Sequence, residues 1–243
     1  MKSITLDQRT DLQKPLLELN QKAWPQFLLN WNCPGWSSLF TTFSEYQILI
    51  LNDSGELTAY GHTIPIFWDK ALEKIPDNLK TLIEMGADTR QKGIKPNGLL
   101  ALAAVVPEQY RGEGFSAVIV TEMKNLARQK GLDFLIVPAR PTLKSKYPLI
   151  PIESYAAWKN EAGLFFDPWL RTHQKLGGEI FKTSEISMII DGTIAQWETW
   201  TGMKIFDSGY YLFDGVLNPV EISRENDRGI YFDPCIWVRY DLT

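Results

Sequence analysis

The spacing of apolar residues predicts several elements in the first third of the chain. Leucines recur at helical spacing within 6–29, which predicts that the chain begins with a helical segment. The apolar runs at 46–51 and 56–66 flank the sequence Asn-Asp-Ser-Gly, whose residues tolerate positive φ angles, and together they predict a β-hairpin. Residues 69–92 carry spaced leucines, and we expect a helix or a loop there.

The middle of the chain predicts a strand, a helix and a second strand, in that order. Residues 99–106 are apolar without alternation, which is typical of a strand covered on both faces. From Phe115 onward, apolar residues recur at helical spacing until Gly131 provides a stop. Residues 132–140 predict another buried strand. Because a helix joins the two strands, we expect them to be parallel neighbours.

The second half of the chain mixes irregular segments with strands. Pro and aromatic residues are frequent over 141–170, which predicts a long excursion with one or two short helices. A helical turn over 168–176 meets Gly177-Gly178, which predicts a glycine C-cap. After 179 the pattern favours strands, apart from a short helix over 193–201.

Composition excludes several classes of function. The net charge of −4 is spread over both signs with no basic face, so we expect no nucleic-acid partner. The longest apolar runs are too short to cross a bilayer as a helix, and the first residues lack the apolar stretch of a secretory signal. Cys33 and Cys235 lie far apart in sequence, which argues against a disulfide framework or a zinc cluster. These features fit a protein of the reducing cytoplasm.

The loop between the strand at 99–106 and the following helix contains two glycines, and two phosphate-binding motifs compete for it. Gly112, Gly114 and Ala117 satisfy G-x-G-x-x-G/A, the dinucleotide fingerprint. In that motif the first glycine follows its strand almost directly, whereas here residues 107–111 intervene. The chain also lacks the repeated strand–helix alternation of a doubly wound sheet, so a nucleotide-binding oxidoreductase is the weaker interpretation.

The second motif uses the residues before the glycines. Gln109–Gly114 has the pattern Q/R-x-x-G-x-G/A between a buried strand and a helix. It resembles the signature loop of the GNAT superfamily of acyl-CoA-dependent N-acyltransferases. Backbone N–H groups at a helix N-terminus, together with the helix dipole, favour a pyrophosphate, and glycines allow its close approach.

The resemblance covers roughly 40–190 and implies a fold. We expect an α/β (α+β) protein with a mixed, mainly antiparallel central sheet, a splayed parallel pair and flanking helices. In that fold the strand at 99–106 corresponds to the one whose backbone pairs with pantetheine, and the next strand diverges from it. His173–Gly178 is similar to the family's Tyr-x-x-x-Gly-Phe element. The chain is predicted to be a single domain over 1–243, with a strand-rich C-terminal extension over 191–243 that completes the sheet, covers the acceptor site or forms a homodimer contact.

The resemblance also implies an activity, namely transfer of an acyl group, most simply acetyl, to a small-molecule amine by direct attack. Acetyl-CoA or another acyl-CoA is the expected co-substrate, and no metal is expected. The backbone near Val105–Val106 is the expected polariser of the thioester oxygen. The expected cofactor-binding residues are Val105, Val106, Gln109, Tyr110, Arg111, Gly112, Glu113, Gly114, Phe115 and Ser116.

His173 stands where many relatives have the tyrosine that protonates the departing thiolate, and it is the expected catalytic acid. The excursion supplies the expected substrate-binding residues Tyr147, Tyr155 and Trp158, and both tyrosines are alternative acids. Core packing is the competing interpretation for these aromatic residues. The candidate bases are Glu84, Glu153, Asp167 and a water chain, and His62 is expected to be structural. Because His173 replaces the tyrosine and no base stands out, a catalytically silent or altered CoA-binding module stays open.

Overall fold

The computed structural model describes residues 1–243, which form one mixed sheet flanked by helices. The strands are β1 (Lys2–Thr5), β2 (Ile48–Leu51), β3 (Leu57–Ile66), β4 (Gly98–Val105), β5 (Phe134–Ala139), β6 (Glu179–Gly192), β7 (Gly209–Tyr211), β8 (Val220–Ser223) and β9 (Arg228–Asp241). The helices are α1 (Gln13–Ala23), α2 (Gln26–Leu29), α3 (Leu79–Gln91), α4 (Phe115–Gln129), α5 (Ile152–Ala156), α6 (Pro168–Lys175) and α7 (Ile194–Thr201). No helix is both long enough and apolar enough to cross a bilayer.

The nine strands follow the order β1-β2-β3-β4-β5-β9-β8-β7, and β6 pairs with β9. Strands β4 and β5 are parallel, and the other pairs are antiparallel. The predicted fold class, the hairpin of β2 and β3 and the β4–α4–β5 unit are therefore confirmed. A sheet with a single parallel pair is not the doubly wound sheet in which the dinucleotide fingerprint occurs, so the fold does not support that interpretation.

The boundaries of several elements differ from the predictions for local reasons. Within 69–92 the helix begins only after Asn78, whose side-chain oxygen accepts a 2.9 Å hydrogen bond from the backbone N–H of Lys80. Strands β1 and β8 were not predicted. Each of these strands has only four residues. A segment this short does not show a recognisable period of apolar residues.

The excursion over 141–170 contains the short helix α5 and leads into α6. Asp167 caps α6 by accepting hydrogen bonds from the backbone N–H groups of Trp169 and Leu170. At the other end, the N–H of Gly178 bonds to the carbonyl of His173 at 2.8 Å, and Gly177 has a φ of +82°. This is the predicted glycine C-cap, and it turns the chain directly into β6.

The two faces of the sheet carry different helices. Gly61 of β3 lies under α4, where an added Cβ would stand 2.6 Å from Met123 and 2.9 Å from Ile119. Ile64 of β3 contacts Gly86 of α3 on the other face. Because side chains alternate along a strand, α4 covers one face of the sheet and α3 covers the other. Helix α1 lies on the same face as α3, where Asn20 accepts a 2.8 Å hydrogen bond from the hydroxyl of Tyr60.

The C-terminal extension is part of the main sheet. Strand β9 runs antiparallel between β5 and β6, so the last strand of the chain lies in the middle of the sheet. The segment between β6 and β9 carries a second, smaller apolar core, in which Trp197 and Tyr231 pack against Phe27 of α2. The extension completes the sheet, and Asp233 and Cys235 of β9 also line the cavity described below.

Candidate active site

Strands β4 and β5 separate shortly after they begin. Their pairing runs only from Gly98 to Leu100 on β4 and from Phe134 to Ile136 on β5. Beyond that point β4 stays paired with β3 up to Val105, and β5 stays paired with β9. The two strands therefore diverge, and their facing backbone edges are left without a ladder partner. The predicted splayed pair is confirmed.

A bulge in β4 lies at the start of the splay. His62 pairs with Ala103 and Thr63 pairs with Ala101, so Leu102 has no partner in β3. A bulged residue interrupts the ladder and bends its strand. Both Leu102 and Ala103 line a cavity, so the irregular backbone of β4 is exposed at the cavity wall.

The cavity has a volume of about 1000 Å³, at the upper end of the range for small-molecule sites. Most of its wall comes from residues 13–41, which we call the N-terminal segment, and this wall includes Trp24, Trp31 and Trp36. The opposite wall comes from β4, β5, β6 and β9. Sequence reasoning assigned the N-terminal segment no role in the site, although three tryptophans within thirteen positions were a visible signal.

The charged side chains of the cavity wall are Arg140 and Asp233, and they form an ion pair. The Nε of Arg140 donates to both carboxylate oxygens of Asp233, at 3.0 and 3.2 Å. Tyr231 donates to Oδ1 of Asp233 at 2.5 Å. Burial opposes the charged guanidinium, but Asp233 and Tyr231 together outweigh it, and the pKa of Arg140 is raised. Arg140 therefore stays charged in the wall.

Both cysteines also reach the cavity, although they are far apart in sequence. Burial raises the pKa of the Cys33 thiol and that of the Cys235 thiol. A raised pKa keeps a thiol protonated and weakly nucleophilic. The cavity thus contains thiols that are not activated.

The predicted CoA loop forms one continuous turn from β4 into α4. Gly112 and Gly114 have φ angles of +87° and +83°, and no atom lies within 4 Å of where a Cβ would stand on either glycine. Gly114 is the N-cap of α4, and no side chain caps the helix. Tyr110 packs edge-on against Phe115 at 5.7 Å, which anchors the turn. The backbone N–H groups of Phe115 and Ser116, in the first turn of α4, have no hydrogen-bond partner in the protein.

The remaining cofactor-binding predictions fall around this turn. Gln109, Arg111 and Glu113 are exposed, and Ser116 is half-buried in the first turn of α4. Val105 is buried and pairs with Tyr60, and Val106 follows the strand. Neither valine lines the cavity, whereas the bulge at Leu102 does.

His173 lies in the core and does not line the cavity. Its Nδ1 is 2.7 Å from the hydroxyl of Tyr240, and its ring packs against Trp169 with centroids 4.2 Å apart. Burial lowers the pKa of His173 to about 3. A neutral imidazole keeps one N–H, but this proton is far less acidic than that of an imidazolium, and His173 lies outside the cavity wall. This placement does not support the predicted acid.

The predicted substrate-binding residues form an aromatic cluster away from the cavity wall. Tyr147, Tyr155 and Trp158 pack against one another and against Phe166, with centroids 5.0 to 6.3 Å apart. The hydroxyl of Tyr155 donates a 2.8 Å hydrogen bond to Asp167. This placement favours core packing for Tyr155, which is buried, whereas Trp158 is half-buried and Tyr147 is exposed at the edge of the cluster.

None of the three candidate bases lies in the cavity wall. Asp167 is buried, and its oxygens accept from Tyr155, from the backbone N–H of Leu143 and from the first turn of α6. Glu84 and Glu153 are exposed on α3 and α5. Asp167 thus serves the fold, and the chain brings no free carboxylate to the cavity.

His62 is fully buried on β3 beside the cavity wall. Its Nδ1 lies 3.0 Å from Oε1 of Gln47, whose amide nitrogen donates to two backbone carbonyls. The amide oxygen must therefore accept, which places the imidazole proton on Nδ1. Burial lowers the pKa of His62 to about 3, and its ring packs against Trp36 and Phe40. These contacts match the structural role expected for His62.

Known proteins resemble the chain in sequence and in fold. It is 29% identical to arginine N-acetyltransferase avaD of Aspergillus versicolor over 249 aligned positions, which cover 90% of this chain and 85% of that protein. No protein-family model matches it. The loading GNATL domain of CurA from Lyngbya majuscula superposes with a TM-score of 0.64 at 15% identity, covering 96% of this chain and 94% of that one. The GphF GNAT-like decarboxylase in complex with isobutyryl-CoA superposes with a TM-score of 0.57 at 16% identity, over the full length of both chains.

Proposed function

We propose that this chain, which has the fold of the GNAT superfamily, transfers an acyl group from acyl-CoA to the amine of a small molecule bound in the cavity. One observation carries the proposal: the splay of β4 and β5 opens at a bulge that lines a cavity able to hold an acceptor. The similarity to an arginine N-acetyltransferase supports an amine as acceptor and acetyl as the acyl group. Since a fold hosts more than one reaction, the residues of the site must supply the rest of the argument.

The loop over 109–116 is proposed to bind the pyrophosphate of CoA. Its two positive-φ glycines let the backbone approach a ligand closely, and the uncapped N-terminus of α4 offers N–H groups and the positive end of the helix dipole. The exposed Arg111 adds a positive charge beside the turn. From this loop, the edge of β4 leads along the splay to Leu102.

The bulge at Leu102 is proposed to present the backbone N–H that polarises the thioester carbonyl. A ladder partner would consume that N–H, and both the bulge and the splay remove ladder partners at this point. A fixed N–H aimed at the developing oxyanion stabilises the tetrahedral intermediate. This placement moves the predicted donor from Val105–Val106 back to the segment that lines the cavity.

The chemistry proposed is direct attack. The neutral amine adds to the thioester carbon, the C–S bond breaks, and the proton lost from nitrogen ends on the CoA thiolate, directly or through solvent. No cysteine is activated for an acyl-enzyme, and the one carboxylate of the wall, Asp233, is paired with Arg140. The chain therefore contributes binding, orientation and backbone polarisation more than side-chain acid–base catalysis.

Two further predictions belong to this proposal. Cys33 and Cys235 are both unpaired, which suits the reducing cytoplasm proposed as its compartment. The homodimer contact stays a prediction, and light scattering of the purified protein measures it.

The test is a thermal shift followed by a thiol-release assay. Acetyl-CoA at about 100 times its Kd should stabilise the fold by about 2.7 kcal/mol, while NADPH should have no effect. Free thiol should then appear when acetyl-CoA is mixed with an amine panel. Stabilisation without thiol release for any amine would leave a silent CoA-binding module as the better description. Stabilisation by NADPH but not by CoA would overturn the proposal.

A further inference from the structure

Arg140 has one hydrogen-bonding nitrogen that the protein does not use. Its Nε donates to Asp233, and its Nη2 donates to the carbonyl of Gly215 at 2.6 Å. Nη1 has no hydrogen-bond partner in the protein. The side chain lines the cavity and is 20% exposed, whereas that of Asp233 is fully buried. The free end of the guanidinium therefore faces the cavity.

The direction of this free nitrogen is fixed by the residues behind it. Asp233 is held by the hydroxyl of Tyr231, and the same hydroxyl accepts a 2.8 Å hydrogen bond from the backbone N–H of Leu217. Gly215 and Leu217 belong to one loop, so that loop and β9 together clamp the guanidinium. Because a guanidinium is planar, fixing two of its nitrogens fixes the third.

The rest of the cavity wall offers no competing charge. Arg140 and Asp233 are its charged residues, and both oxygens of Asp233 already accept hydrogen bonds. The cavity has no unpaired carboxylate to bind a cationic group. An anionic group can accept hydrogen bonds from the two free N–H bonds of Nη1. A charge-assisted hydrogen bond between guanidinium and carboxylate is strong where water is largely excluded.

We propose that Nη1 of Arg140 binds a carboxylate on the acceptor, so that the acceptor is an amino acid rather than a simple amine. This inference rests on the proposed N-acyltransferase function. Trp24, Trp31 and Trp36 supply aromatic surface to the wall and suit an apolar or stacking side chain. The terminal carboxylate of a dicarboxylic acyl-CoA has the same chemistry, and the experiment separates this source from the acceptor.

The experiment compares each amino acid with the amine that lacks its carboxylate. L-arginine is paired with agmatine, and L-phenylalanine with phenethylamine, at saturating acetyl-CoA with thiol release as the readout. The wild-type protein should favour the amino acid in kcat/KM by about tenfold or more in at least one pair, the range for one well-formed charged contact. Arg140→Gln should bring that ratio close to one, through a higher KM for the amino acid and little change for the amine.

Three further variants keep the test independent of folding. Arg140→Gln leaves Asp233 buried without its partner. The double variant Arg140→Gln with Asp233→Asn removes both charges, and its ratio of kcat/KM for the amino acid to kcat/KM for the amine should also fall close to one. Arg140→Lys keeps the charge without the planar fork and should retain part of the preference. Arg171→Gln is the matched control, since Arg171 is a half-buried arginine whose Nη1 donates to the carbonyls of Phe165 and Phe166 outside the cavity. Its ratio should equal that of the wild type.

The outcomes separate this inference from the proposed function. If the wild-type protein acetylates each amine as well as its amino acid, the inference fails while N-acyl transfer stands. If malonyl-CoA outperforms butyryl-CoA and only that preference disappears in Arg140→Gln, the carboxylate belongs to the acyl donor and the amino-acid assignment is overturned. If neither thiol release nor stabilisation by CoA occurs, the proposed function and this inference fail together.

Discussion

The Nδ1 atom of His173 lies 2.7 Å from the hydroxyl of Tyr240, and both side chains are buried between α6 and β9. We therefore expect His173→Ala to act on stability rather than on catalysis. It should lower the free energy of unfolding by about 2–3 kcal/mol, because it leaves a cavity and removes the imidazole partner of the Tyr240 hydroxyl. Urea denaturation measures the loss, and thiol release on the folded fraction should give an unchanged kcat.

Tyr240→Phe is the control for this prediction, because it removes the same hydrogen bond from the other side. It should lower stability by about 1 kcal/mol and leave kcat unchanged. A kcat that falls in His173→Ala but not in Tyr240→Phe, with stability intact, would restore His173 as the catalytic acid.

The two buried histidines should make the fold sensitive to mild acid. Burial lowers the pKa of both His62 and His173 to about 3, whereas an unfolded histidine titrates near 6.5. Below about pH 6.5 the unfolded chain binds more protons than the folded one, so stability falls as pH falls. Each histidine should cost about 2 kcal/mol of stability by about pH 5.

His173→Phe isolates one of the two contributions, because phenylalanine fills much of the same space without titrating. The loss of stability between about pH 7.5 and about pH 5 should be about 2 kcal/mol smaller in this variant than in the wild type. Carboxylates contribute equally to both proteins and cancel in the difference. Parallel stability–pH curves would show that His173 is accessible to protons in the folded state.

The glycine loop gives a prediction about charge. Gly112 has a positive φ and open space where a Cβ would stand, so a small side chain fits there with modest backbone strain. Gly112→Asp places a negative charge beside the proposed pyrophosphate and should weaken CoA binding by about tenfold or more, a change of about 1.4 kcal/mol. Isothermal titration with CoA measures the change.

Gly112→Asn is nearly isosteric with Gly112→Asp and uncharged, so it should keep most of the CoA affinity. Gly55, in the hairpin turn, has a similar φ of +83° and similarly open space. Gly55→Asp therefore controls for backbone strain and should bind CoA like the wild type. Equal affinities of the aspartate and asparagine variants at position 112 would place the pyrophosphate elsewhere.

Local pattern was enough to predict the structural elements of the candidate site that are local in sequence. Strand β4, the loop at 109–114, α4 and β5 follow one another along the chain, so a single strand–helix–strand unit also places the splay. The cavity wall is different, because it brings together residues that are far apart in sequence, such as Trp36, Arg140 and Asp233. No periodicity connects such distant residues.

The residues whose placement does not support their predicted roles have a similar explanation. His173 and Tyr155 have side chains suited to catalysis, but burial sets their chemistry, and burial depends on what the rest of the chain packs over them. The bulge at Leu102 arises from a register shift between two strands whose sequences show no break. Both features belong to tertiary structure, and a linear pattern does not contain them.

Direct attack predicts that neither cysteine carries the acyl group. Burial raises the pKa of the thiols of Cys33 and Cys235, so both stay protonated at neutral pH. The intact mass of the protein mixed with acetyl-CoA, without an amine, should show no acetyl adduct. Cys33→Ala should keep kcat, and the initial-rate pattern should be sequential. A ping-pong pattern that disappears in Cys33→Ala would replace direct attack by a covalent route.

The N-terminal segment predicts a separation between acceptor and cofactor binding. Trp36 lines the cavity and packs edge-on against Trp31, with ring centroids 6.2 Å apart. Trp36→Ala should raise the KM for the acceptor and leave the KM for acetyl-CoA unchanged, because the proposed CoA loop lies at the N-terminus of α4, across the sheet. Trp200 is a matched control, since it packs on Trp197 outside the cavity. Trp200→Ala should lower stability without changing the KM for the acceptor or the KM for acetyl-CoA. If both KM values rise together in Trp36→Ala, the cavity also holds part of the CoA.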